Sequence, residues 1–96
     1  MSKIAFHPFW KQSFEFFDSF DEVYLFGSVL EKKHPHDIDL VLIYRDNFSA
    51  EMMQLCNIIR DIIFRQFAIE AHLTVLSSYE EKETQFLRKI KSMRIK

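Results

Sequence analysis

The tightest constraint on this chain is the stretch Asp37-Ile-Asp-Leu-Val-Leu-Ile-Tyr44, read together with Gly27-Ser28 before it. The stretch alternates, so Asp37, Asp39, Val41 and Ile43 share one face of a strand and Ile38, Leu40 and Leu42 share the other. Two carboxylates therefore project side by side from the start of a strand that is otherwise apolar. Like charges so close repel and resist desolvation unless a cation lies between them. Oxygen ligands on a strand suit Mg²⁺, which typically takes one or two carboxylates and completes its shell with water and substrate phosphates. Upstream, the apolar run Val23 to Phe26 ends in Gly27-Ser28, and Gly27 is the only glycine in the chain. A glycine at a strand end permits close backbone approach, and a Gly-Ser turn offers N–H and hydroxyl donors to phosphate. Together these residues read as a metal-nucleotide site.

The order hydrophobic-Gly27-Ser28, a spacer Val29 to His36, then Asp37-hydrophobic-Asp39-hydrophobic resembles the signature of the DNA polymerase beta-like nucleotidyltransferase superfamily. The short chain is similar to its minimal nucleotidyltransferase branch. The resemblance implies a polymerase beta-like fold, with Gly27 and Ser28 as the turn that holds a nucleoside triphosphate. It implies that Asp37 and Asp39 bind Mg²⁺, two ions in an active enzyme. It also implies a third acid from a neighbouring strand. The run Ile69 to Leu76 reads as that strand, with Glu70, His72, Thr74 and Leu76 on one face and Ile69, Ala71, Leu73 and Val75 on the other. Glu70 fits the hydrophobic-acid-hydrophobic pattern, whereas counting back from the strand end puts His72 at the position. Glu70 is carried forward as the third catalytic and metal-binding residue, with His72 as the alternative occupant.

The rest of the chain supplies a core around this centre. Its 96 residues allow one small domain, taken here as 1–96. An apolar content of 48% with eleven phenylalanines argues against disorder. A net charge of −1 gives no global steering toward nucleic acid or anionic membrane. One cysteine, Cys56, excludes an internal disulfide and fits a reducing compartment. With no membrane-length apolar run and no leader, a cytoplasmic location is expected.

Residues 7–18 read as a helix with Phe6, Phe9, Trp10, Phe14 and Phe17 inward, leaving Phe16 and Phe20 off the stripe as a conceivable dimer contact. Val29 to His36 reads as a helical turn and a solvated loop carrying His34 and His36. Ser49 is the expected N-cap of a helix over 50–67, whose apolar face includes Cys56 as packing. Ser78 and Glu81 read as a capping box opening a last helix over 79–92, with Tyr79 inward. The bases near its end fit the helix dipole, a basic nucleic-acid contact being the competing reading. The element order predicts a small α/β (α+β) sandwich, a mixed sheet with helices packed on one face.

Two functions follow. The first is Mg²⁺-dependent transfer of a nucleoside monophosphate to a hydroxyl of a partner protein or nucleic acid. The second is a member of the fold that acts as a binding or regulatory, antitoxin-like module. The intact Gly-Ser turn and Asp pair point to the first; the open third-acid position and the lack of an arginine after the turn point to the second. In either case so short a chain needs a protein partner or a second copy to supply an acceptor site, and the resemblance makes a toxin–antitoxin pairing an expectation to test.

Overall fold

A computed structural model describes residues 2–12, 14–45 and 47–96, Phe14 by its backbone alone. A 3-10 turn at Lys3–Phe6 leads into helices α1 (Phe9–Gln12) and α2 (Phe14–Phe17). Strand β1 (Glu22–Phe26), the short helix α3 (Ser28–Glu31) and strand β2 (Asp37–Tyr44) follow. Helix α4 (Ala50–Phe67), strand β3 (Glu70–Ser77), helices α5 (Ser78–Thr84) and α6 (Phe86–Lys89), and strand β4 (Ser92–Arg94) complete the order. The strands form one mixed sheet in the order β3-β2-β1-β4. β2 runs antiparallel to β1 and parallel to β3, the parallel pair being joined through α4.

Sheet order explains why β2 is so apolar. As an inner strand it is covered on both faces over most of its length, and Leu40, Val41 and Leu42 are all inaccessible. Val23, Leu25, Ile38, Leu40, Leu42 and Ala71 form the sheet side of the main core. Phe17, Phe20, Val29, Leu30, Cys56, Ile59 and Ile63 close over it from the helical side. Burial pushes the Cys56 thiol pKa up, as befits a packing residue rather than a nucleophile. Phe67 at the end of α4 stacks on Trp10 and meets Phe9 edge-on, which ties the first helices to the fourth.

The second sheet face is only partly covered. Val41 and Ile43 are buried there, where α5 packs against β2 and β3. Phe86 of α6 meets Phe26 edge-on at 5.7 Å. This cover stops short of the beginning of β2, so Asp37 and Asp39 remain accessible on a strand whose opposite side is locked in the core.

Helix α4 coincides with the expected span, and the Ser49 hydroxyl accepts the Met52 N–H at 3.2 Å as its N-cap. Several local expectations need correction. Phe20, read as off the stripe, is buried, and Phe6, read as inward, is largely exposed. The Phe14 side chain lies outside the described residues. The capping box forms one residue earlier than expected, between Ser77 and Glu80. Both registers satisfy the Ser-x-x-Glu spacing; the β2–β3 ladder ends at the pair Tyr44–Ser77, which leaves Ser77 extended and so in the N-cap conformation.

The expected single helix over 79–92 is interrupted at Gln85, which adopts a left-handed φ of 52°. Tyr79 points to solvent, not inward. Beyond Ile90 the chain forms β4, so of the bases expected at one helix end Arg88 and Lys89 close α6 while Arg94 stands in a strand. Arg94 pairs with Glu22 at 3.3 Å. The Lys96 ammonium donates to the carbonyls of Phe17 and Phe20.

Candidate active site

The site begins at the turn between β1 and α3. Gly27 has φ 76° and ψ −149°, a conformation that side-chain-bearing residues rarely adopt. A Cβ built on Gly27 would also overlap Asp39 Oδ2 and lie 3.3 Å from Asp39 Cγ, so the carboxylate would have to swing away. The turn therefore packs directly against the carboxylate of the neighbouring strand. Ser28 strengthens the link, its hydroxyl donating to the Asp37 carbonyl at 3.2 Å. With the hydroxyl proton engaged there and the Leu30 N–H donating to the Gly27 carbonyl at 3.0 Å, the donors that face no intrahelical acceptor in the first turn of α3 are the N–H groups of Ser28 and Val29.

Asp37 and Asp39 stand on the open part of the second sheet face, and Asp39 is opposite Phe26 in the β1–β2 ladder. Burial pushes the Asp39 carboxyl pKa up; His72 pulls it down and Asp37 pushes it further up. An anion held under such conditions gains from a nearby cation.

Parallel pairing decides what β3 contributes. Glu70 lies beside Asp37 and His72 beside Asp39. The His72 ring sits among three carboxylates, with Nε2 3.7 Å from Asp37 Oδ1 and 3.9 Å from Glu70 Oε1. Its Nδ1 is 3.9 Å from Asp39 Oδ1. One donor atom each from Asp37, Glu70 and His72 lies within 4.8 Å of the other two. Glu70 is thus brought to the rim of the site next to Asp37, with its side chain 76% exposed, while the deeper place beside Asp39 belongs to the histidine. Sequence alternation put both residues on this face; only the strand register separates their positions. His34 and His36 stay exposed on the loop before β2, apart from this cluster.

A small mixed sheet with a Gly-Ser turn abutting an Asp-x-Asp strand defines a nucleotidyltransferase-type domain. The family model described as Polymerase beta, Nucleotidyltransferase matches residues 11–95, and the chain belongs to that family. The four-stranded mixed sheet and its helices are consistent with the fold of the DNA polymerase beta-like superfamily, and membership supports a general role in nucleotidyl transfer. No curated protein and no solved structure matches the chain significantly. Among the described residues, no helix is long and apolar enough to cross a membrane.

Proposed function

We propose that this domain transfers a nucleoside monophosphate from a nucleoside triphosphate, in the presence of Mg²⁺ or a similar divalent cation, to a hydroxyl of a partner protein or nucleic acid. The observation that carries the reading is the contact between the Gly27 turn and the Asp39 carboxylate, which brings phosphate donors and cation ligands to one spot. The donor set fits the cation: hard carboxylate oxygens, accessible at one end and anchored in the core at the other. Divalent cations bound there would supply charge neutralisation for the triphosphate.

The remaining work falls to the chain's own residues. Asp37 and Asp39 hold the cations. The N–H groups of Ser28 and Val29 bind phosphate oxygens. Phe26, braced by Phe86, walls the site beside Asp39. In the reaction the acceptor hydroxyl gives up its proton to solvent, its oxygen bonds to the α-phosphorus, the bond to the β-phosphate bridge breaks, and pyrophosphate leaves. Nucleotidyl transfer depends mainly on positioning and charge, so few protein groups are required.

We place the acceptor on another molecule. Helix α4 leaves Met53, Ile58 and Phe64 exposed, apolar area of a kind that a partner chain or second copy covers.

The test is to incubate the protein with each nucleoside triphosphate labelled at the α-phosphate, with total RNA or cell lysate as acceptor and Mg²⁺ or Mn²⁺ present. Label on a macromolecule, with pyrophosphate released, supports the reading; γ-label should not transfer, and Asp37→Asn/Asp39→Asn should be silent. Neither label nor pyrophosphate from any nucleotide would favour the regulatory-module alternative.

A further inference from the structure

We propose that His72 converts the rim of this site into a mixed nitrogen–oxygen cation centre that prefers a first-row transition ion to Mg²⁺. Its ligands are His72 Nε2 and one carboxylate oxygen each from Asp37 and Glu70. Behind them, Asp39 Oδ1 faces His72 Nδ1 and would accept its N–H once the ring is drawn onto the ion.

The geometry separates the two ring nitrogens. Nε2 faces Asp37 at 3.7 Å and Glu70 at 3.9 Å, while Nδ1 faces Asp39 at 3.9 Å. All three separations are too long for hydrogen bonds. The two at Nε2 match ligand atoms around a shared ion: with bonds of about 2.0–2.2 Å, neighbouring donors lie roughly 3 Å apart and opposite ones roughly 4.2 Å. The three donor atoms fall within 4.8 Å of one another, so a small inward movement of the exposed Glu70 closes the set.

Asp39 fits the outer role. A metal-bound histidine commonly donates its second N–H to a carboxylate, which fixes the tautomer and ring orientation. Asp39 is the better anchored of the two aspartates, its side chain 25% exposed against 43% for Asp37. Its other oxygen, Oδ2, lies against Gly27 and remains available to a cation at the phosphate turn. One carboxylate therefore links the histidine on one side to the turn on the other.

The ion follows from the donors. Imidazole suits transition ions and adds little for Mg²⁺, which favours oxygen, while carboxylates accept both. The inference deepens the reading above, since Asp37 is common to both, and it is tested without nucleotide so that the two can fail separately.

The experiment titrates Mn²⁺ into the nucleotide-free protein and follows free aqua-Mn²⁺ by electron paramagnetic resonance. Wild type should bind Mn²⁺, and displacing it should take at least about tenfold more Mg²⁺ than Zn²⁺. His72→Ala should weaken Mn²⁺ binding by about 10–100-fold, and His72→Asp, with oxygen donors only, should lose most of the discrimination against Mg²⁺. Zn²⁺ should move the His72 Nε2 resonance in ¹⁵N spectra. His72 is half exposed on an edge strand, so both variants should fold, as circular dichroism would verify. Mn²⁺ binding unchanged in His72→Ala, displacement by equimolar Mg²⁺, or no binding at all would overturn the centre. Nucleotide transfer without His72-dependent binding rejects the centre alone; His72-dependent binding without transfer supports it and rejects the transferase reading.

Discussion

Gly27 and Asp39 are mutually dependent: the turn has room for the Asp39 carboxylate only because residue 27 has no side chain. The same glycine takes a φ of 76°, a backbone conformation that favours glycine whatever the space around it. Gly27→Ala should cost about 1–3 kcal/mol of stability from backbone strain alone. The variant should also lose divalent-cation binding, because Asp39 must move. Chemical denaturation and calorimetric metal titration measure the two effects. An alanine variant with native stability and native cation affinity would show that the turn and the carboxylate are not coupled.

Strand β4 is held by more than its ladder. Lys96 reaches back to the carbonyls of Phe17 and Phe20, and its backbone exchanges hydrogen bonds with Val23. Lys96→Ala should destabilise the fold by about 1.5–3 kcal/mol, the range for hydrogen bonds to charged groups. Hydrogen exchange should show the Ile95 amide, bonded to the Val23 carbonyl, losing protection in the variant. No change in either quantity would mean that β4 does not depend on this clasp.

The capping box gives a pH signature. Backbone and side-chain hydrogen bonds from Ser77 lower the Glu80 pKa below its ordinary value of 4.5. A carboxyl depressed on folding adds stability above the unfolded pKa and loses it as pH falls through the folded one. Glu80→Gln should therefore lower the melting temperature at pH 7, with the gap from wild type closing as the pH drops below 4.5. A gap constant with pH would exclude the ionised carboxylate as its source.

Leu40 tests how far the site leans on the core. It is fully buried, one residue from Asp39 and on the opposite face. Leu40→Ala should cost about 2–5 kcal/mol. Cation affinity should fall with it, because the strand carrying the aspartates loosens. Loss of stability with cation binding intact would place the site's rigidity elsewhere.

How legible each part was depends on how repetitive its pattern is. β2 alternates at its start and then runs apolar, and α4 carries an apolar face through five turns, so both could be read residue by residue. The turn was legible because one glycine ended one strand. β4 was not: Met93 is its single inward residue between Ser92 and Arg94, too little to distinguish a strand from the end of a helix. The left-handed Gln85 that redirects the chain has no glycine or asparagine to announce it. Phe20 is buried by the return of the chain into β1, which local periodicity does not encode. For the site, alternation put Asp37, Asp39, Glu70 and His72 on one face. Pairing Glu70 with Asp37 and His72 with Asp39 is long-range information that only the folded sheet supplies.

The most direct test of the central claim is calorimetric titration of wild type and of Asp37→Asn/Asp39→Asn with each nucleoside triphosphate, with and without divalent cation. A metal-nucleotide site predicts saturable, cation-dependent heat for at least one nucleotide with wild type and none with the double variant. A folded wild-type protein giving no heat with any nucleotide, in Mg²⁺ or in Mn²⁺, would contradict it.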